Sequence, residues 1–179
     1  MSIQIYILSM LMEEKSYPYK LKKQLSEPLP LDKLGNLTES KLYYHFDSLS
    51  KSGLIEQVEV IKEEHRPDKQ VFAITEKGRE MLPKKIYNLF EKGEDVKEFV
   101  IGLFFLRFVD KARIIRILEG KLEEIGQKEN QFKILCERLD VSEVYKPTIN
   151  ITNNYMLSRL DIEIKTIKQI LEQLSKELD

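Results

Sequence analysis

Residues 38–61 read TESKLYYHFDSLSKSGLIEQVEVI, and this stretch decides the fold. Its first half carries apolar residues at positions i, i+4 and i+7, which are Leu42, Phe46 and Leu49. This spacing places them on one face of a helix. Gly53 follows where a helix ends in its preferred residue type, and β-branched residues then recur over Leu54–Ile61. The stretch therefore predicts a helix that runs directly into a β-strand.

The residues before this stretch predict two more helices. The apolar run Ile3–Met12 indicates a buried first helix, because no basic residue precedes it and no cleavage site follows it, as a signal peptide would require. Tyr17-Pro18-Tyr19 begins a short second helix, since proline is tolerated in a first helical turn. Thr38 is the expected N-cap of the third helix, which should reach about Lys51.

The residues after it predict a hairpin and a fourth helix. Val71–Ile74 is the second strand, and the polar segment Lys62–Lys69 is the expected loop between the strands. Thr75 opens the fourth helix, in which Pro83 predicts a kink or a restart. The order helix, helix, helix, hairpin, helix is that of a winged helix-turn-helix, in which the third helix reads DNA and the hairpin is the wing.

Beyond residue 95 the chain is predicted to be entirely helical. Phe99–Phe108 is almost wholly apolar and should be buried. The last helix follows a turn at Tyr145-Lys146-Pro147. In it a leucine or isoleucine recurs at alternating spacings of three and four residues, as in the seam of a coiled coil. We expect this seam to form a dimer, because two antiparallel helices alone make a thin core. The alternative is packing against the preceding helix of the same chain. The predicted dimerisation residues are Leu157, Leu160, Ile164, Ile167, Leu171 and Leu174.

These elements predict a mainly α fold with a small β-hairpin. A winged helix-turn-helix DNA-binding domain is expected over residues 1–90, and a helical dimerisation domain over residues 96–179.

Composition narrows the function. One cysteine, Cys136, excludes an internal disulfide and favours the reducing cytoplasm, and with only two histidines it argues against a zinc site. No phosphate-binding loop, nucleophile elbow or carboxylate–histidine cluster is present, so we expect neither an enzyme nor a cofactor. The net charge is −1. DNA binding therefore requires positive charge gathered on one face.

Three segments of the first half resemble the PadR family of bacterial transcriptional regulators. Ile7-Leu8 with residues 17–21 (YPYKL) is similar to the apolar first helix of the family and its Tyr-Gly-Tyr-Glu-Leu segment. Residues 40–49 (SKLYYHFDSL) with Gly53-Leu54-Ile55 resemble the recognition helix and strand entry. Residues 66–72 (RPDKQVF) and 74–79 (ITEKGR) resemble the wing and the segment that follows it. Pro18 and Tyr44 depart from the family glycine and proline, so the operator sequence does not carry over. The C-terminal half resembles the subgroup with a large helical domain, the virulence-activator type.

The candidate DNA contacts lie on three elements. Residues on the outer face of the third helix would meet phosphates and base edges, and basic residues of the wing would enter a minor groove or touch phosphates. The competing interpretation is that neither surface contacts DNA. The helix face would then be solvated, and the wing tip would be mobile, with its basic charges partly cancelled by neighbouring acidic residues. His45 is expected to pack or to contact a phosphate. The full set is Tyr19, Lys20, Lys23, Thr38, Ser40, Lys41, Tyr43, Tyr44, Arg66 and Lys69.

The function predicted from these observations is a sequence-specific repressor. It would bind a pseudo-palindromic site in double-stranded promoter DNA as a homodimer, and a small-molecule effector would release it. The family includes sensors of phenolic acids and drugs, and the phenylalanines of Phe99–Phe108 would line a pocket or, alternatively, form core. A second hypothesis is a winged-helix protein-interaction module without DNA binding. An activator would have the same sequence signature as a repressor.

Overall fold

The structure is a computed structural model that describes residues 2–26, 39–63, 66–93, 99, 102–138 and 142–177. The elements follow in the order α1 (Ser2–Glu13), α2 (Pro18–Ser26), α3 (Glu39–Lys51), β1 (Ile55–Glu63), β2 (Arg66–Ile74), α4 (Glu76–Lys92), a short 3₁₀ turn (Leu106–Phe108), α5 (Lys111–Arg138) and α6 (Lys146–Lys176). The predicted fold class, mainly helical with one β-hairpin and a winged helix first, is confirmed.

The chain divides into two compact units. The N-terminal unit comprises Met1–Gly93 and Lys97–Val109, and the C-terminal unit comprises Glu94–Val96 and Asp110–Asp179. Residues 97–109 thus group with the winged helix, whereas the sequence placed residue 96 onward in a dimerisation domain. Phe99 accounts for the difference, since it is buried with its ring 5.3 Å from that of Phe90. The functional assignment of 1–90 and 96–179 stays a prediction.

Helix α1 is the centre of the N-terminal unit. Its consecutive residues 5–9 are all buried, which requires packing partners on every side of the helix, and α3, α4 and β2 supply them. The hydroxyl of Tyr6 donates a 2.8 Å hydrogen bond to the carbonyl oxygen of Leu21 and so ties α1 to α2. Burial raises the pKa of Tyr6 far above its ordinary value, so the hydroxyl keeps its proton.

The end of α3 closes in a Schellman arrangement. Gly53 has a φ of 69°, and its N–H donates to the carbonyl of Ser50 at 2.9 Å. The N–H of Leu54 donates to the carbonyl of Leu49, also at 2.9 Å. These two bonds satisfy carbonyls that the helix end would leave unpaired. The chain therefore leaves α3 in a fixed direction and enters β1.

The start of α4 binds this same turn. The side-chain oxygen of Thr75 caps α4 by accepting from the N–H of Gly78 at 3.1 Å, and its hydroxyl donates to the carbonyl of Gly53 at 2.7 Å. The ammonium of Lys77 donates to the carbonyl of Ser52 at 2.8 Å. A Cβ on Gly78 would collide with the carbonyl oxygen of Leu54. Glycine at this position thus lets α4 approach the end of α3.

The hairpin is longer than the sequence predicted. Strands β1 and β2 pair antiparallel from Ile55↔Ile74 to Glu63↔Arg66, so the expected loop is wrong at residues 62–63 and 66–69. Residues 64–65 lie outside the described residues. The ladder is formed by backbone N–H and C=O groups, so polar side chains do not by themselves end it. At its base, the ring of Phe72 lies 5.1 Å from that of Phe46 in α3.

Helix α4 is one continuous helix with Pro83 inside it, so the predicted restart is wrong. Proline in a helix interior costs about 3 kcal/mol. Leu82 and Ile86, on either side of Pro83, are completely buried. Their packing holds the helix together where local propensity would end it.

The C-terminal unit consists of α5 packed on α6. Ile114, Leu118 and Ile125 of α5 are buried, as are two residues of α6. Lys111 binds Glu177 at 2.7 Å, joining the start of α5 to the residue after α6. Among the described residues, no helix has both the length and the apolar character that crossing a membrane requires.

We predict that Gly78→Ala destabilises the protein. The added methyl group would force the Leu54 carbonyl and α4 apart, and overpacking of this kind costs about 2 kcal/mol. Gly120→Ala in α5 is the matched control, because a Cβ there meets no atom within 4 Å. It should raise the free energy of unfolding by up to about 1 kcal/mol through helix propensity. Urea denaturation measures both, and equal stability of the two variants would contradict the proposed close approach.

Candidate nucleic-acid interface

Helix α3 presents two distinct faces. Leu42, Phe46 and Leu49 are buried in the core, as the sequence predicted. Their burial turns the opposite face to solvent, where Tyr43 is 48% and Tyr44 is 67% exposed. The other exposed side chains of this face are Ser40, Lys41, Asp47 and Lys51. The four candidate contacts predicted on this helix are therefore brought together on one accessible surface.

An ion pair between two charged residues on this face was not predicted from the sequence. Lys51 donates to Asp47 at 2.6 Å across one helical turn. That hydrogen bond, and the charge of Asp47, raise the pKa of Lys51 above its ordinary value. Their i, i+4 spacing was the available signal. The pair therefore compensates its own charge.

His45 is half-buried beside this surface. Its Nδ1 atom is buried and has no hydrogen-bond partner among the described residues, and its ring meets that of Tyr44 edge to face at 5.4 Å. Burial, the largest cause, lowers the pKa of His45, which leaves the imidazole neutral near pH 7. In the described ranges, no three His, Cys, Asp or Glu side chains are grouped so as to hold a metal ion.

Helix α2 supplies positive charge. It contains three lysines and no carboxylate. Lys20 binds Glu14 at 2.7 Å, whereas Lys23 is exposed. Tyr19 is 56% exposed. Leu21 and Leu25 are buried, which turns the lysines away from the core.

The wing residues are held less freely than the sequence suggested. The ammonium of Lys69 lies 5.2 Å from the ring centroid of Tyr17, a cation–π contact that ties β2 to the segment before α2. Arg66 lies in β2, opposite Glu63. Thr38, the predicted N-cap, lies outside the described residues. The three elements that carry the other candidates, α2, α3 and the hairpin, all belong to the N-terminal unit.

The aromatic segment after α4 is mostly core. Phe99, Phe105 and Leu106 are buried, but Phe104 is 47% exposed, contrary to the expectation for the whole run. The guanidinium of Arg107 covers the rings of Phe105 and Phe108 and forms an ion pair with Glu13. Because these rings pack on one another, the described residues favour core over a ligand pocket here.

The predicted dimerisation seam lies along α6 and is partly covered within one chain. Ile167 and Leu174 are buried. The remaining four residues are half-buried: Leu157, Leu160, Ile164 and Leu171. A second apolar stripe on α6 was not predicted, because the sequence analysis considered only the heptad seam of this helix. It comprises Ile151, Tyr155 and Ile162, all more than 60% exposed.

Comparison with protein-family models gives a match within the N-terminal unit. Residues 7–84 match the model of the "Transcriptional regulator PadR-like family". This range contains α2, α3, both strands and the start of α4, which carry every candidate DNA contact except Thr38.

Several solved structures, two of them of Bacillus subtilis PadR, align along almost the whole chain. Bacillus subtilis PadR in complex with operator DNA is 17% identical, with 96% of this chain and 98% of that chain covered and a TM-score of 0.42. The smu.1604c protein of Streptococcus mutans is 22% identical, with 98% and 97% covered and a TM-score of 0.42. Bacillus subtilis PadR has also been solved with p-coumaric acid, at 16% identity, 98% and 99% coverage and a TM-score of 0.40. These TM-scores are below 0.5, so the family assignment rests on the family model.

Two curated relatives also match. Spermatogenesis-associated protein 1 of Rattus norvegicus and of Mus musculus are each 25% identical over 137 residues, which is 73% of this chain. The chain spans 28% of the length of these relatives. The family model and the winged helix agree over residues 7–84, so this part of the chain resembles the PadR-like family of transcriptional regulators.

Proposed function

We propose that this protein is a cytoplasmic repressor that binds a pseudo-palindromic promoter site as a homodimer and is released by a small-molecule effector. The observation that carries the proposal is the exposed face of α3, held rigidly by the turn that joins it to β1 and α4. In a winged helix this face enters the major groove. Tyr43, Tyr44 and Lys41 are then the residues that meet bases and phosphates.

In this proposal, α2, α3 and the wing make different kinds of contact with DNA. Lys20 and Lys23 of α2 neutralise phosphates, which supplies affinity without sequence information. The exposed side chains of α3 read base edges. The wing braces against the flanking backbone through Arg66 and Lys69. A repressor acts by occupying the promoter, so that polymerase cannot bind there.

Two copies are needed to read a palindrome. The C-terminal unit buries few residues completely among those described, and a two-helix core of this size is thin. The half-buried seam of α6 and the exposed stripe of Ile151, Tyr155 and Ile162 would be covered by a second copy. A two-fold dimer places its recognition helices about 34 Å apart, one turn of DNA.

The proposal that an effector releases the protein from DNA is based on the family resemblance. A ligand that favours a different spacing of the two winged helices would lower DNA affinity by population shift. The packed rings of Phe99 and Phe105 argue against placing that ligand among them.

The DNA-binding surface is tested with a duplex that the wild-type protein enriches from a random pool (the selected duplex) and a scrambled duplex of equal composition. Wild-type affinity for the selected duplex should fall at least about tenfold between 50 and 200 mM salt, because counterions are released on binding. Tyr43→Ala with Tyr44→Ala should weaken selected-duplex binding by about 1–3 kcal/mol per lost base contact. Binding to the scrambled duplex should change little.

Gel-shift titration measures these affinities, and thermal melting confirms that the variant is folded. Unchanged selected-duplex affinity in a folded variant would show that α3 does not read DNA. Failure of the wild type to enrich any duplex, or salt-insensitive binding, would support the protein-interaction module instead.

The dimer is tested by sedimentation equilibrium. The wild type should have twice the 21.2 kDa mass of one chain. Ile151→Glu with Ile162→Glu should shift the mass towards the monomer, because two buried carboxylates cannot be tolerated in an apolar interface. Val60→Glu is the matched control on β1, where valine is 44% exposed. A monomeric wild type, or equal effects of the two substitutions, would contradict the proposed interface.

A further inference from the structure

The wing is attached to the segment that precedes α2. The N–H of Ser16 donates to the carbonyl of Phe72 in β2 at 3.0 Å, and the N–H of Phe72 donates to the carbonyl of Ser16 at 2.8 Å. Ser16 is buried, so the two bonds are shielded from solvent. This part of β2 and the residues that lead into α2 are therefore fixed relative to one another.

Tyr17, the next residue, contacts both the wing and α2. Its carbonyl accepts from the N–H of Leu21 at 3.2 Å, which is a hydrogen bond of the first turn of α2. Its side chain is half-buried, and the ammonium of Lys69 lies 5.2 Å from its ring centroid. This distance is within the range of cation–π attraction. The lysines of α2 and Lys69 of the wing are thus linked through one residue.

The pleat of β2 explains how Lys69 reaches Tyr17. Side chains two residues apart share one face of a strand, so Lys69 and Val71 lie on the same face. Val71 is buried, so this face of β2 is covered by the body of the unit at that level. Lys69 lies three residues beyond Phe72 towards the tip of the wing, which is about 10 Å of strand, and it is half-buried. Its ammonium therefore lies against the ring instead of extending freely into solvent.

An aromatic ring positions a cation without adding a negative charge beside it. The ring of Tyr17 attracts the ammonium through its quadrupole and has no net charge. Lys20 is held differently, since the carboxylate of Glu14 binds it at 2.7 Å and offsets its charge. A lysine that is ordered before DNA arrives loses less conformational entropy on binding. The contact with the ring therefore favours binding of a phosphate by Lys69.

We propose that Tyr17 is a positioning residue for DNA binding, whose ring holds the ammonium of Lys69 beside the start of α2. The wing and α2 then present their cations to the DNA backbone as one preformed set. The inference rests on the proposed DNA-binding function, and in it Tyr17 acts through Lys69 without touching DNA. Because phosphate contacts carry no sequence information, Tyr17 contributes to affinity and not to the choice of sequence.

Tyr17→Leu tests the proposal, by fluorescence anisotropy on labelled selected and scrambled duplexes. This variant should bind both duplexes about two- to tenfold more weakly, because a lysine side chain that is not held must be ordered on binding. Tyr17→Phe keeps the ring and should stay within about twofold of the wild type. A Phe variant as weak as the Leu variant would overturn the proposal. Stronger binding by the Leu variant would also overturn it, since the ring would then withhold Lys69 from DNA.

A double-mutant cycle separates the positioning of Lys69 from any other effect of Tyr17. Lys69→Gln should weaken binding and make the slope of log affinity against log salt shallower by about one for each bound copy. In the Lys69→Gln protein, Tyr17→Leu should change affinity by less than about twofold. An equal loss with and without Lys69 would show that Tyr17 acts by another route and would overturn the proposal.

Tyr145→Leu is the matched control, because it removes a 64% exposed tyrosine that lies before α6. It should leave both affinities unchanged, and a loss equal to that of Tyr17→Leu would contradict a specific role of Tyr17. Thermal melting checks that each variant is folded. Failure of the wild type to bind either duplex would instead refute the proposed function, before any variant is compared.

A measurement on the wild type covers the case in which Tyr17→Leu does not fold. In NMR spectra, protons that lie over an aromatic ring are shifted upfield by its ring current. The ε-methylene protons of Lys69 should therefore be shifted upfield in the free protein and remain so when the selected duplex is bound. Their return to the ordinary lysine position on DNA binding would contradict the proposal.

Discussion

The close approach of the Leu54 carbonyl to Gly78 determines how the winged helix is assembled. At this point the end of α3, the start of β1 and the first turn of α4 meet within a few residues. Thr75 binds the carbonyl of Gly53 and caps α4, while Lys77 binds the carbonyl of Ser52. The bonds to Gly53 and Ser52 use backbone carbonyls just after the last turn of α3, and the cap uses a backbone N–H in the first turn of α4. The direction of α3 is therefore set by backbone geometry and not by its own exposed side chains.

That constraint leaves the outer face of α3 free to vary. Leu42, Phe46 and Leu49 hold the helix from within, and Phe46 packs on Phe72 at the base of the hairpin. Tyr43 and Tyr44 are exposed and do not hold the helix against the core in this way.

Much of this fold could be predicted from sequence because its signals are local. The i, i+4, i+7 spacing in α3, Gly53 at its end and Thr75 before α4 each have a direct physical meaning. The errors arose where tertiary packing outweighs local preference. Pro83 does not break α4, because Leu82 and Ile86 are buried beside it. Charged residues after Ile61 extend the hairpin. The sequence analysis missed this extension because the partners of a strand across the ladder cannot be read from that strand alone.

The candidate site was predictable in part for the same reason. Residues on one helix face follow from periodicity, so the exposed group on α3 was found. The Asp47–Lys51 pair and the second stripe on α6 were missed, since a search for one pattern on a helix passes over the others. Tyr17 as the partner of Lys69 required the structure, because 52 residues separate them in the chain.

The central claim is that the outer face of α3 contacts DNA, and site-specific photo-crosslinking tests it most directly. A photoreactive p-benzoylphenylalanine would replace Tyr44, which is 67% exposed, or Tyr145, a 64% exposed tyrosine before α6. Irradiation with the selected duplex should yield a covalent protein–DNA product at position 44 and none at position 145. Crosslinking at 145 alone, or at neither position under conditions where the duplex is bound, would contradict the account.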